Sequence, residues 1–273
     1  MKRSIRTYLP YLCLVVLALV FAFPLVVMIT TSFKTYEEAF DLSVGLFPTH
    51  WYGGNYRAVF KTIPFVRYFA NTLFITLMNV AGTLFTTPMI SFSLSKLRWQ
   101  GRDVVFSIIV STLLIPYTVI MIPLYKLWVK FRLVGTFWPL IIPGFFGYPF
   151  YIILLRQFML TIPDELMEAA KIDGCSPWRR YISIVLPLAK PGLATVAIFT
   201  FLNTFSDFLG PLLYLNKTER YTLSLGLQSF LNEHSVAWTN LMAASALFML
   251  PIVVAFVIGQ KYFIAGISTT GIK

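Results

Sequence analysis

The sequence predicts an all-α, polytopic membrane protein with six transmembrane helices and a helical elbow between the fourth and fifth. Its 273 residues are 58% hydrophobic and 12% charged, whereas soluble proteins carry about 25% charged residues. Six apolar stretches of about twenty residues each have the length that crosses a bilayer. A polar stretch at residues 161–191, which we name the elbow segment, interrupts this apolar sequence and carries the signals of two short helices.

The predicted spans form a single membrane domain over residues 1–273, and they run approximately over residues 11–31, 67–94, 104–125, 136–158, 192–214 and 241–258. The first apolar run follows Lys2, Arg3 and Arg6. It is too long for the apolar region of a signal peptide, and no small-residue cleavage site follows it, so we expect an uncleaved span. The basic flank places the N-terminus in the cytoplasm, and six spans return the C-terminus to the same side.

Prolines predict irregular helices in the middle of the chain. Pro116 and Pro123 interrupt the third span, so we expect a kink or partial unwinding there. The fourth span should be broken, because it contains five helix-disrupting residues: Pro139, Pro143, Gly144, Gly147 and Pro149.

The net charge of +11 does not indicate nucleic-acid binding, because basic residues bordering membrane spans account for it. Cys13 lies in the first span and Cys175 in the elbow segment, so we expect both to be reduced. No residues have the spacing of metal ligands, and we expect no metal site.

The elbow segment has clear helix boundaries. Pro163 followed by Asp164 and Glu165 is typical of a helix start. Gly174 supplies a residue that readily adopts the left-handed conformation that ends helices. Ser176-Pro177 then begins a second helix, which Pro187 and Pro191 should limit. We therefore predict two short helices that meet at a corner on Gly174.

The pattern on the first of these helices fits docking onto another protein. Leu166 and Ala170 share a face with Ala169 beside them, and small residues permit a close approach. Glu168 adds a charged anchor at the rim. An ordinary helical hairpin fits the pattern equally well, so the pattern alone leaves both interpretations open.

Glu168-Ala169-Ala170, Gly174 and then Ile184-x-Leu186-Pro187 resemble the EAA loop of bacterial ABC importer permeases. The resemblance implies that the elbow segment is a coupling loop whose helix docks into a cleft of a cytoplasmic ATPase. It assigns that role to Glu168, Ala169, Ala170, Asp173 and Gly174.

Further segments resemble the carbohydrate-uptake branch of these permeases, and in particular its smaller maltose-permease subunit: Asn71-Thr-Leu, Ser95 to Arg102, Met121 to Tyr125, and Gln260-Lys-Tyr-Phe-x-x-Gly266. The resemblance implies four kinds of partner: a second permease subunit, two ATPase subunits that bind ATP and Mg, an extracytoplasmic sugar-binding protein, and the bacterial inner membrane. It also implies that the tail, Gln260–Lys273, reaches the interface of the ATPase dimer.

The chain lacks the motifs of a catalyst. No Gly-x4-Gly-Lys-Ser/Thr occurs in it, so we expect no ATP hydrolysis and no cofactor in this chain itself. We predict a transport subunit that moves carbohydrate into the cytoplasm by alternating access, driven by a separate ATPase.

Asp207 is the one acid placed well inside a predicted span, and Asn203 and Ser206 lie on roughly its side of the helix. Asn203 and Asp207 either line the path of the sugar or form a structural contact between helices. We prefer the structural contact, because this type of subunit often leaves substrate contacts to its partner. Phe205-Ser206 also stands where the family often carries Trp-Asn.

Two other classes of function remain open. An ion-coupled secondary transporter would show inverted repeats and charged, broken helices, whereas this sequence shows no convincing repeat and only Asp207. A purely structural membrane scaffold would not need the elbow segment.

Overall fold

The computed structural model describes the backbone of residues 2–232 and 235–268, and the side chains of residues 10–231 and 237–260. The described residues divide into two compact units, one within residues 1–66 and 226–250 and the other within residues 67–225 and 251–273. Helices dominate both units, which confirms the predicted fold class. The strands described are two-residue segments, β1 (Leu231–Asn232) and β2 (Ser235–Val236), which pair antiparallel with Leu231 opposite Val236.

In the first half of the chain, the α-helices are α1 (Lys2–Ser32), α2 (Tyr36–Phe40), α3 (Gly54–Thr62), α4 (Phe65–Lys96), α5 (Arg102–Thr112), α6 (Tyr117–Lys130) and α7 (Trp138–Ile141). In the second half they are α8 (Pro149–Leu160), α9 (Asp164–Ile172), α10 (Pro177–Arg180), α11 (Leu186–Leu188), α12 (Lys190–Phe205), α13 (Leu209–Tyr214), α14 (Leu223–Leu227) and α15 (Trp238–Ser268). A π-helical turn, Tyr181–Val185, joins α10 to α11.

Within the described residues, four helical segments are long and apolar enough to cross a membrane: Pro10–Ser32, Phe65–Lys96, Trp138–Leu160 and Trp238–Gln260. Two bent helix pairs add one candidate span each. The first pair is α5 with α6, which are bent by 98°, and the second is Pro177–Leu188 with α12, which are bent by 76°. Counting each bent pair as one span gives the six that the sequence predicts.

The kinks occur where the prolines predict them, with one difference. Pro116 lies between α5 and α6 and immediately precedes α6, whereas Pro123 lies inside α6 without ending it. The fourth span is broken as predicted, because a 3₁₀ segment, Ile142–Phe146, and Gly147 at φ +80° separate α7 from α8.

The end of the second elbow helix agrees with the prediction. A π-helical turn, in which the Leu186 N–H bonds the Tyr181 carbonyl five residues earlier, leads into Pro187. The helix ends at Leu188, and Pro191 lies in the first turn of α12 after the 76° bend.

One boundary differs from the prediction. Asp207 lies between α12 and α13 rather than within a continuous helix. Pro211 explains this break, since a proline ring clashes with the helical carbonyl four residues before it.

In the first unit, the segment after α1 folds back on the end of that helix. Asn55 donates from Nδ2 to the carbonyls of Ser32 (2.9 Å) and Lys34 (2.8 Å). The buried Lys34 ammonium donates to the Gly45 carbonyl at 2.7 Å. These bonds give residues 32–55 a defined fold between the first two spans.

The core of the second unit lies beneath the elbow segment. Phe92 of α4, Leu155 and Met159 of α8, and Val196 of α12 form it together with Met167 of α9. Tyr181 and Val185 of the π-helical turn belong to the same cluster. The elbow segment is therefore attached to three long helices through one apolar core.

Candidate functional site

The corner of the elbow segment has the predicted geometry. Gly174 adopts φ +80°, and its N–H bonds the Lys171 carbonyl at 3.1 Å. The next N–H, of Cys175, reaches back to the Ala170 carbonyl at 2.9 Å, so the last carbonyls of α9 are paired. The Ser176 side chain accepts the Arg179 N–H at 3.3 Å and begins α10. The prediction of two helices meeting at Gly174 is confirmed.

The structure separates the five predicted coupling residues into two sets. Ala170 is 6% exposed and packs inward near Met167. The other four lie on the exposed side of the segment: Glu168, Ala169, Asp173 and Gly174. Ala170 is thus in a position to seat α9 on the core, while the exposed four remain available to a partner.

Three large apolar side chains are exposed around the same corner. Leu166 is 43% exposed, Ile172 86% and Trp178 57%. Leu166 and Ala170 therefore differ in exposure, although their spacing predicts a shared face. The exposed residues around the corner thus combine apolar side chains with the charged residues Glu168 and Asp173.

A buried lysine holds the start of the elbow segment. Lys96 is the last residue of α4, and its Nζ donates to the Ile162 carbonyl at 2.5 Å and to Asp164 Oδ1 at 2.6 Å. The Lys96 side chain is 2% exposed, whereas that of Asp164 is 72% exposed. The hydrogen bond and charge of Lys96 hold the pKa of the Asp164 carboxyl below its ordinary value.

Sequence reasoning missed this role of Lys96. The residue lies within Ser95 to Arg102, a segment that the sequence marks only by its family resemblance. The sequence feature that could have indicated this role is the position of Lys96 at the end of a long apolar helix. A lysine there can donate hydrogen bonds to backbone carbonyls that pack against the helix end. The partner, 68 residues later in the chain, could not be identified from spacing.

A second site is a cavity of about 420 Å³, which we name the polar cavity. Its lining consists of Asn79, Leu140, Tyr148, Phe150, Tyr151, Thr200, Asn203, Thr204 and Asp207. The structure therefore brings the predicted pair, Asn203 and Asp207, to one cavity. It adds Tyr148 and Tyr151, which sequence reasoning did not single out.

Hydrogen bonds fix most of the amides and hydroxyls of the polar cavity. Asn203 donates from Nδ2 to Tyr151 Oη at 2.8 Å. The Tyr148 hydroxyl donates to Asn79 Oδ1 at 3.4 Å, and Asn79 Nδ2 donates to the Leu140 carbonyl at 2.9 Å. The lining is consequently preorganised by contacts within α4, α7, α8 and α12.

Asp207 has a structural contact of its own. Its Oδ1 accepts the Gly210 N–H at 3.2 Å in the first turn of α13, and its carbonyl accepts the Ser224 hydroxyl at 2.5 Å. The Asp207 side chain therefore bonds local backbone at the start of α13, and the bond to Ser224 uses the Asp207 carbonyl, so the predicted side-chain contact between helices stays a prediction. The same residue also lines the polar cavity.

The tail and the two cysteines are the remaining candidates. Residues 261–268 of the predicted tail continue α15 as backbone only, and residues 269–273 lie outside the described part of the chain, so the predicted tail contact stays a prediction. Cys13 and Cys175 are both free. No three His, Cys, Asp or Glu side chains come together as metal ligands in residues 10–231 and 237–260.

Comparison with known proteins identifies the family. Residues 79–269 match the model of the binding-protein-dependent transport system inner membrane component family. The arabinooligosaccharide permease protein AraQ of Halalkalibacterium halodurans is 32% identical over 100% of both chains. The maltodextrin permease protein MdxG of Bacillus subtilis is 31% identical, over 99% of this chain and 98% of its own.

A solved structure agrees with this grouping. A chain of a bacterial ABC transporter that imports the acidic polysaccharide alginate superposes with a TM-score of 0.82 at 26% identity, over 96% of this chain and 99% of that one. This protein belongs to the binding-protein-dependent transport system inner membrane component family, and it is a non-catalytic, multi-pass membrane permease subunit of a binding-protein-dependent sugar ABC importer.

Proposed function

We propose that α9 and the corner at Gly174 couple this permease to a separate ATPase that binds ATP and Mg. In this proposal Glu168, Ala169, Asp173 and Gly174 contact a cleft of the ATPase, and Ala170 seats α9 on the permease. The observation that carries the proposal is an exposed, partly apolar helical corner fixed from behind by buried contacts. Such a surface suits a protein groove, because a helix in a groove buries apolar anchors.

The assembly we propose contains a second permease subunit, two ATPase subunits and an extracytoplasmic sugar-binding protein. The elbow segment and both termini lie in the cytoplasm. Basic residues at four positions of the elbow segment support this orientation, since short cytoplasmic loops carry an excess of Lys and Arg: Lys171, Arg179, Arg180 and Lys190.

Coupling in this proposal is mechanical. Closure of the ATPase dimer moves α9, and the shared core passes that motion to α4, α8 and α12 as a rigid body. Lys96 fixes the start of the elbow segment to the end of α4, so these two elements move together. The tail at Gln260–Lys273 adds a second contact with the ATPase dimer.

We further propose that the sugar passes the polar cavity and contacts Asn203 and Asp207. Both residues line a space with hydrogen-bonding groups and aromatic rings, which is the usual lining of a small-molecule site. Asp207 would combine this contact with its structural bond to Gly210.

Affinity purification of the chain from native membranes in mild detergent tests the assembly. We expect an ATPase, a second permease and a sugar-binding protein to be identified by mass in the purified material. Glu168→Arg should lose the ATPase and keep the second permease. Glu37→Arg makes the same charge change at an exposed position of α2 and should retain both.

Uptake into membrane vesicles tests the energy source. Transport should require ATP and survive dissipation of ion gradients. Uptake that follows an ion gradient without ATP, or a chain that purifies alone and stable, would contradict the proposal.

A further inference from the structure

We propose that the polar cavity is a saccharide subsite that accepts uncharged sugars and excludes acidic ones, and that Asp207 determines this preference. The inference rests on the proposed path past Asn203 and Asp207, and it adds the charge class of the substrate. Among the nine lining residues, Asp207 is the one acid, and none is Lys, Arg or His.

The dimensions of the polar cavity suit a small saccharide. Its volume of about 420 Å³ falls within the range of about 300–1,000 Å³ that small-molecule sites occupy. Its wall includes Phe150, which is 52% exposed, and Tyr151, whose ring meets that of Phe150 edge-on at a centroid distance of 5.6 Å. Tyr148 extends this wall, with its ring 5.7 Å from that of Tyr151.

An aromatic wall favours the apolar face of a sugar ring over an anion. Aromatic faces carry the negative part of the ring quadrupole, so they attract positively polarised C–H groups. The same faces repel a carboxylate, and the nearby Asp207 oxygens add like charge. The aromatic wall and Asp207 thus both favour uncharged sugars over acidic ones.

The hydrogen-bonding groups of the cavity suit hydroxyls. Asn79 Nδ2 donates to the Ile75 and Leu140 carbonyls, and the Tyr148 hydroxyl donates to Asn79. Asn203 Nδ2 makes one described bond, in which Tyr151 Oη is the acceptor, so one Asn203 N–H and the Tyr151 O–H have no described acceptor. Asn203 Oδ1 has no hydrogen bond within the described residues. The cavity therefore presents both acceptors and donors, and sugar hydroxyls can pair with either kind.

A bound uronate would lack what a buried carboxylate needs. A carboxylate that leaves water is compensated by Arg, Lys or several N–H donors. Nothing in the lining supplies a cation, and Asn79 Nδ2 donates to the Ile75 and Leu140 carbonyls. An uncharged sugar loses only hydroxyl hydration, which the donors and acceptors of the cavity replace.

The test uses the purified importer without its binding protein, so that only the membrane subunits select. Saturation-transfer NMR compares maltotriose, arabinotriose and galactotriose with trigalacturonate, each at the same concentration. We expect transfer to at least one neutral trisaccharide, and transfer to trigalacturonate that is lower on the order of tenfold.

Two substitutions change the preference in opposite directions. Asp207→Asn keeps an oxygen that can accept the Gly210 N–H but removes the charge, so the acidic-to-neutral signal ratio should rise severalfold. Asn203→Asp adds a second acid without altering the contact with α13, and should lower that ratio. This second variant keeps the proposal testable if Asp207→Asn fails to assemble.

Three results would overturn the inference: equal transfer to trigalacturonate and the neutral sugars in the unmodified importer, no transfer to any of the four probes, or a ratio that neither variant changes. A second measurement distinguishes failure of this inference from failure of the proposed function. It is ATP-driven uptake by the same preparation after its binding protein has been restored. Intact uptake with no charge preference refutes only this inference, whereas absence of ATP-driven uptake refutes the proposed function.

Discussion

The elbow segment and the polar cavity use burial in opposite ways. At the elbow segment, a charged side chain, Lys96, is buried, and apolar side chains such as Ile172 are exposed. In the polar cavity, amides and hydroxyls bond one another around an open concave space, and aromatic rings form part of its wall. The first arrangement presents apolar side chains outward, and the second lines a concavity with polar ones.

This difference indicates what each region can bind. In the proposed function, the exposed helix of the elbow segment meets a groove of another protein, whereas the concave lining receives a small ligand. The two regions share the elements α4, α8 and α12. Substitutions in one region therefore test whether ATPase coupling and sugar binding can be disturbed independently.

The largest effect is expected at the corner. Gly174→Val places a β-branched residue at φ +80°, where the added Cβ meets no atom within 4 Å, so backbone strain alone opposes it. Such strain amounts to about 1–3 kcal/mol. We expect loss of ATPase co-purification and at least about a tenfold decrease in uptake.

Gly174→Asn is the matched control, because Asn adopts the left-handed region more readily than other residues. It should retain most of the uptake. Equal losses for Val and Asn would show that the corner does not depend on its left-handed conformation.

The next effect is expected at Lys96. Lys96→Met leaves the Ile162 carbonyl without its donor, and an unpaired buried group costs about 1–3 kcal/mol. Thermal unfolding of the purified importer in detergent should occur at lower temperature, and coupled uptake should fall while sugar binding in the polar cavity persists. Arg98→Met removes a neighbouring cation and serves as control. Identical unfolding temperatures for the two variants would argue against the anchoring role of Lys96.

The polar cavity can be disturbed through a glycine. A Cβ on Gly144 would lie 2.6 Å from Asn79 Oδ1 and 3.3 Å from Asn79 Cα, so Gly144→Ala displaces the amide that Tyr148 bonds. Overpacking of this kind costs about 1–3 kcal/mol. We expect sugar binding to weaken while ATPase co-purification is unchanged.

Gly82→Ala is the comparison for Gly144→Ala. Its Cβ would lie 2.6 Å from the ring of Phe145, a half-buried side chain outside the lining of the polar cavity. Sugar binding should therefore be retained. If Gly144→Ala instead detached the ATPase, the two regions would not be separable.

The smallest effect is a dependence on pH. Because Lys96 lowers the pKa of the folded Asp164 carboxyl, its contribution to stability is full above the ordinary pKa of about 3.9 and is lost as the pH falls through the lowered value. Asp164 is mostly exposed, so this contribution is at most about 1 kcal/mol. The unfolding temperature of the wild-type chain should exceed that of Asp164→Asn at neutral pH, and the two should converge at acid pH. A difference that widens on acidification would contradict the assignment.

Local rules predicted the elbow segment well because its signals are local. Pro163, Gly174 and Ser176-Pro177 each act on the backbone within a few residues, and the structure has the predicted helix boundaries around them. Hydropathy likewise predicted the apolar helices, since length and composition define a span.

Long-range contacts were beyond the same rules. The pairing of Lys96 with Asp164 joins residues 68 positions apart, and the polar cavity combines side chains from four helices. The sequence predicted Asp207 inside a helix because the residues around it are mostly apolar. In the structure it lies between α12 and α13, because Pro211, four residues later, interrupts the regular helical hydrogen bonding. Packing, rather than periodicity, determines these features.

The π-helical turn at Tyr181–Val185 makes the number of residues in this part of the chain significant, not only their identity. One residue of an α-helix corresponds to a rotation of about 100°, so a deletion that converted this turn to α-helix would change the angular phase of α12. A single-residue insertion or deletion between Pro177 and Pro191 would therefore be more harmful than most substitutions there. It would turn Asn203 away from Tyr151 even though every side chain of the polar cavity remained in the chain.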